Sequence, residues 1–249
     1  MGENETKLGK LLIANRGEIA IRVARTAMEM GIATVAIHFE DDRRSLHTRA
    51  SDEAVSLTGS GPAAYLDATQ IIACAKQTGC DAIHPGYCFL SENASFARHC
   101  LDAGLTFVGP TPATLDLFGD KTVARRFAES CAVPVMAGTS SPTTLAQAQS
   151  FLASLGVSGG VMVKSVGGGG GGGRGMRPVI DPGQLPTAFE RCAAEALQAF
   201  GNADLYVEQL FHHARNVEVQ IVGDGTGAAI HLWEEVTTVE GGAMLESSP

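Results

Sequence analysis

Lys164 lies in an apolar run, Val161-Met162-Val163-Lys164-Ser165-Val166. The run opens onto seven consecutive glycines, Gly167 to Gly173, followed by Arg174-Gly175-Met176-Arg177. The β-branched apolar run predicts a strand. Glycine reaches positive φ freely and lets a ligand approach the backbone closely. Successive bare N–H groups form an anion-binding concavity. A lysine before the loop and an arginine after it add positive charge. That combination suits a polyphosphate, with the loop folding over the phosphates. A flexible linker is the competing reading. Linkers, however, usually mix glycine with serine between domains, and this run stands between a strand pattern and a second apolar segment. It is neither a Walker A loop nor a dinucleotide fingerprint, since no Gly-Lys-Ser/Thr closes it and no helix pattern follows directly.

The elements that must position this loop read clearly along the chain. Lys10 to Ala14 is a short apolar strand pattern that turns at Asn15-Arg16-Gly17-Glu18. Ile19, Val23, Ala27 and Met30 then recur at helical spacing, and Gly31 is a helix stop. Thr34 to His38 is the next strand, so the start is a βαβ unit with a parallel sheet. Asp41 to Ala50 is a charged loop with a short helix, and Ala54 to Leu57 a third strand. Tyr65 to Thr78 reads as a helix, Ala82 to His84 as a strand, and Ser91 through Ala103 as a helix. Thr106 to Val108 is a strand. Ligands on such open sheets bind at the strand C-terminal ends, where Asn15 to Glu18 and His84 to Asn93 fall.

Thr111 to Glu129 reads as one helix containing Gly119-Asp120-Lys121. Thr144 to Leu155 and Leu185 to Phe200 read as helices, and Leu205 to Leu210 as a strand. Val217 to Val222 alternates as a half-buried strand should. Asp224-Gly225 signals a hairpin, with Ala229 to Trp233 returning. The segment from Glu235 to Pro249 has no clear period and reads as a loop, a frayed end or a truncation point.

The chain has 249 residues, 45% of them hydrophobic, enough to bury a core, with a formal net charge of −9. The acidic balance argues against broad nucleic-acid binding while leaving room for a local basic patch. No run of about 18 apolar residues is present to span a membrane. Met1 to Lys10 lacks the apolar core of a signal peptide. The six cysteines form no C-x-x-C pair, so free thiols in a cytoplasmic protein are expected. Cys88 is expected to be small, apolar and buried. Arg16 and Glu18 are expected to pair with each other, and His84 and Tyr87 to shape their loop.

Four stretches together resemble the biotin carboxylase component of biotin-dependent carboxylases, within the ATP-grasp superfamily. They are Ile13-Ala14-Asn15-Arg16-Gly17-Glu18-Ile19-Ala20, the His84-to-Asn93 segment, Gly119-Asp120-Lys121, and the glycine loop ending Arg174-Gly175-Met176-Arg177. The resemblance covers roughly residues 9 to 234. It implies an α/β fold: a Rossmann-like N-terminal domain at 1–120, an ATP-grasp lid region at 121–210, and the start of a C-terminal α+β domain at 211–249. It implies that ATP phosphorylates bicarbonate to carboxyphosphate, whose CO2 passes to biotin on a carrier. Nucleotide-binding residues carried over are Lys121 and Lys164 for the phosphates, Gly172 and Gly173 of the loop, Glu208, Gln209, Leu210 and Phe211 beside the adenine, and Asn216. Implied partners are a biotin carboxyl carrier protein or domain and a carboxyltransferase. A homodimer is a further possibility. The final acceptor stays open among acyl-CoAs, pyruvate and urea.

The sequence departs from that family at three places. The glycine loop is two residues longer than usual, which costs little closure entropy. Asn216 stands where the family has histidine, so it can hydrogen-bond but not carry charge. Beyond about Glu234 the family's basic segment is replaced by Glu240, Gly241, Gly242, Ala243, Met244 and Leu245. A shifted reading frame would explain that change. The Mg²⁺-holding glutamates, the catalytic glutamate and the arginine near biotin are expected to lie outside this chain, which alone is expected not to carboxylate biotin. The competing functions are a non-catalytic nucleotide-binding fragment, another ATP-grasp ligase, and a dinucleotide-dependent oxidoreductase. The last is disfavoured by the missing Gly-x-Gly-x-x-Gly.

Overall fold

Five parallel strands organise the first part of the chain: β1 (Lys10–Ile13), β2 (Ala33–His38), β3 (Glu53–Ser56), β4 (Ala82–His84) and β5 (Thr106–Phe107). Their order across the sheet is β3-β2-β1-β4-β5, with parallel pairing throughout. A computed structural model describes residues 8–139, 142–156, 159–166, 175–211, 216–240 and 243–247. Residues 200, 216, 234–240 and 243–247 are described by their backbone alone. Gly172 and Gly173 fall outside the described residues. The chain divides into two compact units, Met1–Val135 and Met136–Pro249.

In the first unit both sheet faces are covered, which is why β1 and β2 read as continuous apolar runs. Leu12, Ala14, Val35 and Ile37 pack against Ile71 and Ala75 of α3 (Ala68–Gln77) and Phe96 and Ala97 of α4 (Ala94–Asp102). Leu11 and Ile13 pack on the other side, against Ala20, Val23, Ala24 and Ala27 of α1 (Gly17–Glu29). Each of the larger buried side chains contributes ~1.5–3 kcal/mol relative to exposure. Met30, expected on the buried face of α1, lies past its end and is 64% exposed. A five-residue α2 (Leu46–Ala50) precedes β3. The expected helix from Tyr65 is a 3-10 turn at Pro62–Leu66 followed by α3, because the Asp67 side chain caps the latter at Gln70 N–H.

The single helix expected over Thr111 to Glu129 is two: α5 (Pro112–Gly119) and α6 (Lys121–Ser130). Asp120 leaves the helical region, and its side chain accepts from the N–H groups of Thr122 and Val123. An aspartate that caps a new helix competes with continuation of the old one.

In the second unit, β6 (Gly160–Ser165) lies between β7 (Met176–Val179) and β8 (Leu205–Leu210) in an antiparallel sheet. Sequence periodicity gave no sign of β7, a four-residue strand interrupted by Pro178. Its pairing with β6 brings it into the sheet. Two helices, α7 (Leu145–Ser154) and α8 (Leu185–Phe200), cover one face through Ala148, Leu152, Leu185, Cys192 and Ala196.

The remaining strands, β9 (Asn216–Gly223), β10 (Ala229–Glu240) and β11 (Ala243–Ser247), form a separate antiparallel sheet in the order β11-β10-β9. The 235–249 segment therefore holds strand through Glu240 and again from Ala243. The returning strand does not stop at Trp233, because a register shift between His231 and Glu234 absorbs that residue at φ +72; such bulges let pairing continue past an irregularity. The half-burial expected of β9 is absent. Val217, Val219, Ile221, Val222, Ile230 and Leu232 are all exposed.

An uncovered sheet with apolar residues associates with other copies. Light scattering across a concentration series is expected to show self-association of this chain, reduced in an Ile221→Lys/Ile230→Lys variant. A monomer at every concentration would refute this.

Candidate functional site

Strand alternation separates the two faces of the β7-β6-β8 sheet. Val161, Val163, Leu205 and Val207 face the helices. Lys164 and Glu208 project from the opposite face. Their strands are paired so that Lys164 opposes Tyr206 and Met162 opposes Glu208. The diagonal pair is closed by a Lys164 Nζ–Glu208 Oε2 ion pair of 2.5 Å, with the side chains only 24% and 11% exposed. A charge at the end of an apolar strand is costly unless partnered, and Glu208 supplies the partner. Gln209 and Leu210 complete β8 half-buried, with Gln209 N–H donating to Ala137 O at 2.8 Å. Phe211 follows and is 53% exposed. Asn216 opens β9; its side chain lies outside the described residues. Lys121 occupies the first turn of α6 in the other unit, directly after the capping Asp120.

The two ends of the glycine loop are pinned together. Ser165 N–H donates to Gly175 O at 2.9 Å, and Lys164 pairs with Met176. Gly175 sits at φ +67, and a Cβ there would meet Ser165 Oγ at 2.8 Å, so only glycine fits this close crossing. Glu195 of α8 ties the stem from the helix side: it accepts from Gly175 N–H at 3.2 Å and pairs with Arg177. The Arg177 hydrogen bond holds the Glu195 carboxyl below the usual carboxylate range. Sequence reading missed Glu195. Its partners lie about twenty positions earlier, and no local spacing connects them.

In the first unit, β1 and β4 are adjacent although distant in sequence, so their C-terminal ends form the switch point of the sheet. Asn15, 2% exposed, bridges it. Its Nδ2 donates to Pro85 O and Tyr87 O, each at 2.7 Å, and its Oδ1 accepts from Arg16 N–H at 2.8 Å. Gly86 is at φ +66, and a Cβ there would strike Asn15 Nδ2 at 2.5 Å. His84 Nδ1 accepts from Gly86 N–H at 3.0 Å, and the Tyr87 hydroxyl donates to Glu18. His84 and Tyr87 thus shape their loop as expected.

Two expectations fail here. Arg16 does not pair with Glu18; its Nε and Nη2 reach Asp42 at 2.5 and 2.7 Å. Cys88 is exposed, not buried, because the loop turns it outward at φ +57 beside Phe89 at φ +44. All six cysteines are free.

Burial lowers the pKa of both His84 and His47 below the ordinary value. His47 is 1% exposed, with Nδ1 lacking a hydrogen-bond partner and Nε2 3.2 Å from Ile37 O. The unfolded chain takes up those protons near pH 6.5, whereas the folded chain resists until lower pH. Stability is therefore complete above about pH 6.5 and lost as pH falls below it through the folded values. The melting temperature is expected to drop between pH 7.5 and 5.5, with a shallower drop in His84→Gln. An unchanged melting temperature over that interval would refute this.

Among the described residues, no group of three or more His, Cys, Asp and Glu side chains stands close enough to hold a metal ion. No described helix is long and apolar enough to cross a membrane.

Two family profiles match in tandem: the biotin carboxylase N-terminal domain over residues 7–115, and the carbamoyl-phosphate synthase L chain ATP-binding domain over residues 120–243. The chain belongs to the biotin carboxylase family. It is 45% identical over 238 residues to pyruvate carboxylase of Staphylococcus aureus, covering 94% of the chain and 20% of that protein. It is 46% identical over 235 residues to mitochondrial pyruvate carboxylase of Mus musculus, covering 93% and 20%. Among solved structures, a biotin carboxylase–β,γ-ATP complex from Campylobacter jejuni matches with a TM-score of 0.92 and 34% identity, over 99% of this chain and 55% of that one. The biotin carboxylase domain dimer of Hydrogenobacter thermophilus 2-oxoglutarate carboxylase, in complex with MgADP, ADP and bicarbonate, matches with a TM-score of 0.88 and 37% identity, over 95% and 51%. The chain thus spans about a fifth of the curated relatives and about half of the solved domains. The profile match runs on to residue 243, past Glu234, where the sequence reading had ended the family likeness.

Proposed function

We propose that this chain is the nucleotide-binding part of a biotin carboxylase acting in an acyl-CoA, pyruvate or urea carboxylase. The observation that carries the proposal is the Lys164–Glu208 pair at the base of the glycine loop, on the sheet face away from the helices, in a chain of this family. In this reading ATP, when bound, supplies the phosphoryl group that activates bicarbonate. Lys164 and Lys121 neutralise phosphate charge as compact cations. Gly172 and Gly173 bring bare N–H groups to the phosphates. Residues Glu208 to Phe211 line the adenine side, with Asn216 as a further nucleotide contact. The domain roles follow: a Rossmann-like domain over 1–120, a lid region over 121–210 and the start of a third domain over 211–249.

In this reading Mg²⁺ is held by glutamates outside this chain, and biotin is brought by a carrier protein or domain. A carboxyltransferase and a homodimeric partner complete the proposed assembly, in the cytoplasm. The chain's share of the solved relatives favours a second reading, in which this chain alone binds nucleotide without turnover. Isothermal titration of the chain with ATP, alongside a carboxylation assay with free biotin and bicarbonate, tests both. Saturable ATP binding is expected without biotin carboxylation. Absence of ATP binding by a folded chain would overturn the proposal.

A further inference from the structure

The helix-covered side of the β7-β6-β8 sheet carries a second cationic feature, separate from Lys164 and Glu208. A cleft of about 400 Å³ opens between β7 and the start of α8, lined by Arg177, Gly183, Gln184, Thr187 and Arg191 among others. None of its lining residues is a carboxylate. Arg177 opposes Val163 on β6, whose side chain is in the core under the helices. The cleft therefore lies on the face opposite Lys164. Gln184, Thr187 and Arg191 follow at the spacing that places residues on one side of a helix, so the arginine of α8 and the arginine of β7 converge on the same space.

Arg177 is incompletely satisfied. Its Nη2 pairs with Glu195. Its Nε is buried without a hydrogen-bond partner. A guanidinium carries five donors in a planar fork, so donors remain where Arg177 lines the cleft. Two guanidiniums, a threonine hydroxyl and a glutamine amide are the donor set that recognises a tetrahedral oxyanion.

We propose that this cleft binds a phosphate-class oxyanion, as free phosphate or as the phosphoryl group of a small ester, and that its occupancy loosens the stem of the glycine loop. The coupling runs through Arg177. Glu195 holds that arginine with one oxygen and Gly175 N–H with the other. An anion on Arg177 draws the guanidinium from Glu195 and weakens the tie to Gly175. The site takes no part in phosphoryl transfer and does not depend on the nucleotide assignment of the opposite face.

The test is titration of the full chain with inorganic phosphate, and separately with glycerol 3-phosphate, at constant ionic strength, followed by calorimetry. Amide hydrogen exchange at Gly175 is read in parallel. Arg191 is exposed on α8, so Arg191→Gln is expected to keep the fold. Saturable phosphate binding, weakened at least about tenfold in Arg191→Gln by loss of a charge-assisted contact, and unchanged in Arg49→Gln, an exposed arginine of the first unit, is the expected result. Tighter binding of glycerol 3-phosphate than of phosphate would assign the site to an ester. No saturable binding of either, equal binding in Arg191→Gln, or loss in Arg49→Gln would overturn the site. Faster exchange at Gly175 on phosphate addition is expected, and unchanged exchange would overturn the coupling.

Discussion

Lys164→Gln is expected to weaken ATP binding by about 10- to 100-fold, the equivalent of losing a charge-assisted contact of ~1.5–3 kcal/mol. The same substitution removes the Lys164 ion pair from a nearly buried carboxylate, Glu208, which is 8% exposed. A buried charge deprived of its counter-ion destabilises the fold, so the melting temperature falls as well. Those two effects are separable. In Lys164→Gln/Glu208→Gln neither side chain is charged, and the two amides can hydrogen-bond across the same diagonal. Stability is expected to recover largely while ATP binding does not. Measuring binding by calorimetry and stability by thermal unfolding on the same samples reads both. Wild-type affinity in Lys164→Gln would make the ion pair purely structural. Recovery of binding in the double variant would show that the single substitution acted through the fold.

The ion pair also shows what a sequence can carry. Lys164 was legible because a lysine in an apolar run before seven glycines breaks a local pattern. Glu208 was legible as a charged residue in another apolar run, and the family resemblance gave it a place beside the adenine. That the two meet was not legible. It depends on an antiparallel register joining positions forty-four residues apart, and strand periodicity says which face a residue takes without naming its neighbour. The same limit hid Glu195 behind Arg177 and Asp42 behind Arg16. In each case the nearest opposite charge in sequence was not the nearest in space.

Local signals performed better where the physics is local. The helix expected from Thr144 begins there, on a capping box, and the one expected from Ser91 begins after Asn93, whose side chain caps it. The parallel sheet of the first unit followed from alternating strand and helix patterns. Local signals failed where two of them competed. The apolar and helix-forming residues of 112–129 argued for one helix, and the capping chemistry of Asp120 divided it. Alternation in β9 gave the strand correctly but not its burial, because alternation records the face a strand can bury and says nothing of what covers it.

Asp42→Ala is expected to be the most damaging substitution in the first unit. The carboxylate is nearly buried and accepts from four donors on three side chains: Arg16 Nε and Nη2, Ser45 Oγ at 3.1 Å and Tyr65 OH at 3.2 Å. Tyr65 is fully buried against Phe39 and Phe89, so its hydroxyl cannot turn to solvent when Asp42 is gone. It retains only a 3.4 Å contact with Ile37 O. The Arg16 side chain is 42% exposed, which lets water replace part of its lost partner and brings that share toward the value of a surface pair. Hydrogen bonds to a charged group are each worth ~1.5–3 kcal/mol net, and they are not additive within one network. A loss of about 2–4 kcal/mol is expected on those grounds, equivalent to a fall in melting temperature on the order of 10 °C. Arg16 holds the Asp42 carboxyl below its ordinary pKa. Its contribution is thus complete above about pH 4, the unfolded value, and lost as pH falls through the lower folded value. Asp42→Ala should therefore lack this share of the acid loss below about pH 4, while keeping the shares of the buried histidines and of the other carboxylates with lowered values. Asp42→Asn, which keeps the shape and the tyrosine contact, should fall between the two. Thermal unfolding of the three proteins at neutral and acid pH decides the matter. If Asp42→Ala melted within about a degree of wild type at pH 7, the carboxylate would be a solvated surface group and the hub assigned to it would not exist.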